Sequence, residues 1–180
     1  MQKGAVLTPT NETERREIFT QLFEMHQREV YFFIRRILLN HDDAADATQN
    51  TFLKAWKGLQ KFRGESSWRT WLFSIAHNEA MNLLEIRRKS YTSDESQVFH
   101  SVISELSNDP LYNGDEIQRR LNAALEILPP KQKAVFVMRY FEGLSYEEMS
   151  KITGTSDGAL KASYHHAVRK VENYVILPNV

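Results

Sequence analysis

Apolar residues recur at helical spacing in nearly every part of the chain, and no stretch keeps the alternation of a half-buried strand. The pattern predicts a first helix that begins at a capping-box sequence, Asn11 to Glu14. The chain breaks at Asn40 and His41, where this helix ends. Its predicted inner face consists of Ile18, Leu22, Val30, Phe33, Ile34 and Ile37.

A second and a third helix complete the first half of the chain. We expect Asp42 or Asp43 to cap the second helix. Its predicted inner face consists of Ala45, Phe52, Ala55, Trp56 and Leu59. A polar loop, residues 63–67, leads into the third helix, whose apolar positions are Trp68, Trp71, Leu72, Ile75 and Leu83.

Capping residues divide the last third of the chain into shorter helices. A second capping-box pattern, Asp115 to Gln118, begins the first of them. Pro130 suits the first position of the next helix, and Gly143 suits its C-terminal cap. Ser145 then opens a further helix, which carries Glu147 and Glu148 in its first turn.

The last helix, roughly residues 157–173, follows the turn Thr153-Gly154-Thr155-Ser156 and has two unlike faces. One face is an apolar stripe of Leu160, Tyr164, Ala167, Val168 and Val171. The opposite face is small, polar and basic, with Gly158, Ala162, His165, His166 and Arg169, and with Lys161 on its shoulder. A short helix, a glycine turn and a longer helix of this kind are typical of a helix-turn-helix, which indicates double-stranded DNA as a partner.

The net charge of zero conceals three segments of different sign. Residues 1–89 contain 14 Lys and Arg against 11 Asp and Glu, and residues 117–180 contain nine against six. Residues 90–116 contain six acidic residues and no Lys or Arg, and Ser, Asp, Asn, Pro and Gly are frequent there. The sequence therefore predicts two mildly basic helical domains joined by an acidic linker.

Composition and motifs exclude several classes of protein. The chain has no cysteine, which excludes disulfides and thiolate metal sites and fits a reducing compartment. No apolar run approaches the roughly 20 residues of a membrane span, and residues 1–10 lack the features of a signal peptide, so we expect a cytoplasmic protein without membrane insertion. No phosphate-binding glycine loop, cysteine nucleophile or zinc-protease motif is present, so we expect neither an enzyme nor a cofactor.

Adjacent histidines do not predict a metal site in the last helix. His165 and His166 point about 100° apart, so they cannot chelate one ion as an i, i+4 pair would. DNA contact or plain surface exposure is the expected role of both.

Two clusters in the first half allow more than one interpretation. The aromatic residues between Phe62 and Trp71 interleave with Arg and Ser and are followed by His77 and Asn78, a composition able to stack an unpaired base. Packing in the core is the alternative for Trp68, Trp71 and Phe73, and we favour it for the tryptophans. The second helix presents either a solvated face or a docking surface for a partner helix, formed by Asp43, Asp46, Asn50, Lys54 and Lys57, with Gln49 at its flank.

Five stretches are informative in combination: DDAADATQNTF at 42–52, KFRGESS at 61–67, TWLFSIAHN at 70–78, LPPKQ at 128–132 and RYFEGLSYEE at 139–148. Their order and spacing resemble those of bacterial RNA polymerase sigma factors of the sigma-70 type, in the small extracytoplasmic function (ECF) group. The resemblance covers about Phe19 to Val171. It implies an all-α fold with a region 2 helical bundle at 11–89, a flexible acidic linker at 90–116 and a region 4 helix-turn-helix domain at 117–176.

The resemblance also implies a role for each cluster. Region 2 is expected to bind the clamp helices of the polymerase β′ subunit through Asp46, Gln49, Asn50 and Phe52. It is expected to hold a flipped base of the −10 element with Phe62, Arg63, Gly64, Glu65, Ser66, Ser67 and Asn78, and to contact the DNA backbone with Arg87, Arg88 and Lys89. Region 4 is expected to touch the β flap and to read the −35 element with Gly158, Lys161, Ala162, His165, His166 and Arg169.

The function implied is that of a factor that recruits core RNA polymerase to promoter DNA and helps to melt it, under control of an anti-sigma factor. The linker is expected either to lie in the channel of the nascent RNA, where its acids imitate an anionic strand, or to be a solvated tether. The alternative function is a stand-alone helix-turn-helix regulator with an N-terminal interaction domain.

Overall fold

The computed structural model describes residues 9, 11–90 and 116–176, and these form seven α-helices and no strand. The helices are α1 (Glu12–Leu38), α2 (His41–Gly58), α3 (Trp68–Ser90), α4 (Glu116–Glu126), α5 (Pro130–Phe136), α6 (Tyr146–Thr153) and α7 (Asp157–Ile176). A 3₁₀ turn (Leu59–Lys61) follows α2, and a π-helical turn (Val137–Phe141) extends α5. The prediction of an all-α fold is confirmed. The predicted linker at 90–116 and the cap at Asp115 lie almost wholly outside the described residues.

Asn11 and Asn40 set the beginnings of α1 and α2. The Asn11 side chain accepts a hydrogen bond from the Glu14 backbone N–H at 2.9 Å, as predicted. α1 ends at Leu39, which takes the left-handed conformation with φ 64°, and the next residue caps α2. The prediction of an Asp42 or Asp43 cap is therefore wrong, because the Asn40 side chain accepts from the Asp43 N–H at 3.0 Å.

The predicted inner face of α2 needs one correction. Ala45 is exposed, whereas Ala44 and Ala47 are fully buried. Phe52, Ala55 and Leu59 are buried as predicted, since they lie on the same stripe as Ala44.

α1, α2 and α3 pack into a bundle whose centre is aromatic and aliphatic. The rings of Phe33 and Phe73 lie 4.7 Å apart, and both side chains are fully buried, together with Ile34 and Leu72. Ser67 precedes α3 and accepts from the Thr70 N–H through its Oγ at 3.1 Å.

Several helix boundaries in the C-terminal half lie at the predicted residues. Pro130 is the first residue of α5, where its missing N–H is not needed. Gly143 follows the π-helical turn with φ 65°, and Gly154 ends α6 with φ 67°, a conformation that an L side chain rarely adopts. Ser145 and Glu148 form a complete capping box at the start of α6.

The two halves of the chain pack against each other. α5 and α6 contact α3, and the π-helical turn contacts α1. A cavity of about 730 Å³ remains between them, lined by His77 and Met81 of α3 and by Val135 and Leu160 of the C-terminal half, among others. Burial lowers the pKa of His77, which a hydrogen bond with Asn78 raises in part. Within the described part of the chain, no helix combines the length and apolarity that a membrane span requires.

Candidate nucleic-acid interface

The outer face of α7 is open to solvent and carries the residues predicted to read DNA. Leu160 and Ala167 anchor the opposite face in the core with 1% and 0% exposure. Exposed on the outer face are Gly158, Lys161, Ala162, His165, His166 and Arg169. The Lys161 Nζ lies 5.5 Å from the Tyr146 ring, so its stem follows α6 while its charge stays at the surface.

His165 and His166 of α7 do not form a metal-binding group with other described side chains. Their rings are 6.1 Å apart and both are exposed. No group of three His, Asp or Glu side chains in the described ranges could hold a metal ion.

The loop between α2 and α3 rests on an aromatic cluster. The Phe62 ring stacks on Trp68 at 4.0 Å and lies 5.0 Å from Trp71, and only 6% of Phe62 is exposed. Arg63, Gly64, Glu65 and Ser67 are exposed and Ser66 is half-buried. Phe62 therefore supports the loop from below, and both tryptophans pack partly buried against the bundle core.

Asn78 opens onto a small cavity beside this loop. The cavity has a volume of about 400 Å³, and its lining includes Lys54 and Gly58 of α2, Lys61 of the 3₁₀ turn, and Trp71, Asn78 and Glu79 of α3. Residues 63–67 are not part of this lining. The structure thus places Asn78 next to a concave surface but apart from the loop tip.

Sequence reasoning did not assign the other lining residues to this site. A Cβ on Gly58 would lie 3.1 Å from the Trp71 ring, so the tryptophan packs on bare helix backbone. Glu79 is paired with Lys54 across the cavity wall. The glycine itself, at the last position of α2, is the sequence signal of such a close approach.

The polar face of α2 is a third exposed surface. Asp46, Gln49 and Asn50 are exposed, and Leu53 adds an apolar side chain that is 51% exposed. Phe52, predicted with them, is 4% exposed and packs beneath this face at 4.9 Å from the Phe23 ring.

The basic end of α3 is only partly described. Arg87 is half-buried and forms an ion pair with Asp43 of α2. The side chains of Arg88 and Lys89 lie outside the described residues.

Together these features define a helical DNA-binding protein with a helix-turn-helix and a second, aromatic-rich domain. Residues 22–90 match the family model of Sigma-70 region 2, and residues 118–171 match that of Sigma-70, region 4. The chain is 31% identical to the ECF RNA polymerase sigma-E factor of Escherichia coli (strain K12) over 165 residues, which cover 87% of this chain and 86% of that protein. The RNA polymerase sigma-H factor of Pseudomonas aeruginosa is 28% identical over 162 residues, covering 86% and 84%.

Two solved structures share the fold. The sigma factor RpoE in complex with the anti-sigma factor NepR from Bartonella quintana matches with a TM-score of 0.72 and 21% identity, over 91% of this chain and 99% of that one. CnrH in complex with the cytosolic domain of CnrY matches with a TM-score of 0.63 and 21% identity, over 91% and 88%.

The chain belongs to the sigma-70 family, in its ECF group. It is an alternative sigma factor that directs RNA polymerase to promoters and initiates transcription. The match of both halves disfavours the alternative of a stand-alone regulator.

Proposed function

We propose that three exposed surfaces of this sigma factor divide the work of promoter recognition. The observation that carries the proposal is the outer face of α7, which presents Lys161 and Arg169 to solvent while Leu160 and Ala167 fix the opposite face in the core. Such a helix fits the major groove, and we assign it to the −35 element. Its readers are Gly158, Lys161, Ala162, His165, His166 and Arg169.

The second surface is assigned to the −10 element. Promoter opening extrudes a base at a cost of a few kcal/mol, which a pocket with aromatic and amide groups offsets. The loop at Arg63, Gly64, Glu65, Ser66 and Ser67, supported by Phe62, and the cavity at Asn78 supply such groups. Lys54 and Lys61 line the same cavity and attract the phosphates of the strand. Arg87, Arg88 and Lys89 are proposed to add backbone contacts.

The third surface, the face of α2 with Asp46, Gln49, Asn50 and Leu53, is assigned to the β′ clamp helices of core polymerase. An apolar centre with a polar rim is typical of a protein interface. Phe52 acts there by holding the face in place from below.

The wider setting follows from this assignment. We place the domain boundaries at 11–89, 90–116 and 117–176, with the middle segment as a tether that lies in the RNA channel. The region 4 domain also touches the β flap. The protein acts in the cytoplasm, without catalysis of its own, and an anti-sigma factor controls it. The solved complex of RpoE with the anti-sigma factor NepR, a sigma factor of similar fold, supports this proposal.

Salt-dependent binding to a −35 duplex tests the assignment of α7. Lys161→Ala and Arg169→Ala should each reduce the slope of log K against log salt by about one, because each removes one phosphate-neutralising charge. Fluorescence anisotropy with the full chain at a series of salt concentrations measures this slope.

Lys170→Ala is the matched control, since Lys170 is exposed on the same helix but donates to Gln132 on α5 at 3.1 Å. It should change the slope by less than either of the other variants. If the wild type and the Lys161, Arg169 and Lys170 variants gave the same slope of log K against log salt, the assignment of α7 to the −35 element would be contradicted.

A further inference from the structure

The cavity beside Asn78 has an acidic side chain in its wall, although surfaces that bind DNA are as a rule strongly positive. Glu79 lies in the lining together with Lys54 and Lys61, and its carboxylate is paired with the Lys54 ammonium group. The phosphates of a nucleic acid strand attract an ammonium group and repel a carboxylate. Glu79 therefore opposes the attraction that the two lysines exert on a strand.

Helical spacing places this ion pair at a defined point between α2 and α3. Lys54 lies one turn before Gly58 on α2, and Glu79 lies two turns after Trp71 on α3. Trp71 packs on Gly58, and Lys54 is paired with Glu79. The two helices are therefore held together at two points beside the cavity, which fixes the position of the carboxylate.

Burial makes Glu79 the fixed member of the pair and Lys54 the more mobile one. The Glu79 side chain is 11% exposed, whereas the Lys54 side chain is 58% exposed. A carboxylate that is withdrawn from water and loses its cation is strongly destabilised. Although Lys54 reaches solvent, its ammonium group cannot leave Glu79 for a strand phosphate without a cost in free energy.

We propose that Glu79 is a restraint on strand binding, because it compensates the charge of Lys54 and so limits the base-independent attraction of the cavity for single-stranded DNA. The proposal rests on the assignment of this cavity to the −10 element. Contacts to phosphates carry no sequence information, whereas contacts to bases do. With Lys54 compensated, contacts of the base with Asn78 and Trp71 supply a larger share of the binding free energy. The cavity then favours an extruded base over a strand that merely passes it.

Binding of single-stranded DNA to the full chain tests this restraint. The probes are fluorescently labelled strands of about 12 nucleotides, made of thymidines, of cytidines or of abasic sites, and anisotropy is measured at a series of salt concentrations. Glu79→Gln keeps a hydrogen-bond acceptor for Lys54 and removes the compensating charge. It should increase the affinity for all three strands by roughly fivefold and steepen the slope of log K against log salt by about 0.7, because Lys54 then neutralises one further phosphate.

A charge-neutral double variant separates the charge of Lys54 from other effects of the substitution. Lys54→Gln combined with Glu79→Gln keeps the net charge of the wild-type pair and replaces the ion pair with two amides. Both the affinity and the salt slope should return close to the wild-type values. Lys54→Gln alone should weaken the binding of all three strands, because the carboxylate is then uncompensated.

Glu24→Gln is the matched control, since it removes the same charge from an exposed position on α1. It should bind each strand as the wild type does, and circular dichroism should show the same helicity in all variants. An equal gain in affinity by Glu24→Gln would assign the effect to the net charge of the chain and would overturn the restraint at Glu79.

The remaining outcomes distinguish the restraint from the function on which it rests. If Asn78→Ala and Lys61→Ala weaken the binding of base-bearing strands but Glu79→Gln does not strengthen it, the restraint is overturned and the cavity remains a −10 site. A loss confined to the cytidine strand in Glu79→Gln would also overturn it, because Glu79 would then accept from the base itself. If neither Asn78→Ala nor Lys61→Ala changes the binding, the assignment of the cavity to the −10 element fails, and the restraint fails with it.

Discussion

Side-chain placement on α2 separates residues that can touch a partner from residues that support them. Asp46, Gln49 and Asn50 project into solvent, whereas Phe52 lies 4.9 Å from Phe23 and is nearly buried. The hydrophobic pattern placed Phe52 on the inner face of α2, whereas the family resemblance grouped it with the exposed residues. The neighbouring Leu53 is 51% exposed and lies one turn after Gln49 on the same face.

Reversing charge on this face should weaken binding to core polymerase. We expect Asp46→Lys combined with Asn50→Arg to reduce the affinity at least roughly tenfold, because bulky cations replace the side chains of a fitted interface. Competition with a fluorescently labelled wild-type chain for core polymerase measures the effect.

Glu172→Lys, an exposed reversal on the other domain, should compete as well as wild type. Circular dichroism should show unchanged helicity in both proteins. Undiminished competition by the double variant would remove α2 from the polymerase interface.

Caps were the residues most readily predicted. Asn11, Ser145 and Pro130 act within one helical turn of their own position, so local sequence is enough to place them. The error at Asp42 and Asp43 has a local cause as well. Asn and Asp are equally good caps, and the choice falls to Asn40 because the chain turns left-handed immediately before it.

At the scale of elements, periodicity predicted each described helix but not its exact form. The segment from Pro130 to Gly143 reads as one helix, and the structure widens its end into the π-helical turn Val137–Phe141. The cavity beside Asn78 was not predictable either. It depends on Trp71 lying against Gly58, and although the glycine signals a close approach, neither helix's own sequence identifies the partner.

A buried ion pair joins α4 and α5, and sequence alone could not predict which two residues form it. Lys133 is 5% exposed and its Nζ lies 3.7 Å from the Glu126 carboxylate. Burial raises the pKa of Glu126 and lowers that of Lys133, while each partner opposes the other's shift. Arg35 and Arg87 favour the charge on Glu126, whereas Arg87 disfavours that on Lys133.

Because the arginines act differently on the two partners, Glu126→Gln and Lys133→Met should lower the free energy of unfolding by different amounts. Glu126→Gln leaves Lys133 buried beside Arg87 and should lower the unfolding free energy by about 3 kcal/mol. Lys133→Met should cost less than half as much, because Arg35 and Arg87 still neutralise Glu126. Urea denaturation followed by circular dichroism measures both values.

The exposed pair Glu147 and Lys151 on α6 provides the control, and Glu147→Gln should unfold as wild type does. Equal losses for the two buried replacements would mean that the arginines of α1 and α3 do not act on this pair.

At the scale of the whole molecule, the contact between domains lay beyond sequence reasoning. Met138, Leu144 and Met149 fit the core of a small helical domain by their spacing alone. That the same residues also face α3 is a property of the packed chain. The division of charge along the sequence predicted two domains and a tether, and it carried no information on how the domains meet.

Promoter-specific transcription shows directly whether this chain acts as a sigma factor. Core RNA polymerase without a sigma factor is combined with the purified chain and a panel of genomic promoter fragments, and run-off products are sized. Core polymerase alone on a nicked template shows that the enzyme is active. We expect discrete transcripts from at least one fragment that depend on the chain and are lost when Asp46→Lys and Asn50→Arg are combined. An active core polymerase that gives no discrete transcript from any fragment when the chain is added would contradict this expectation.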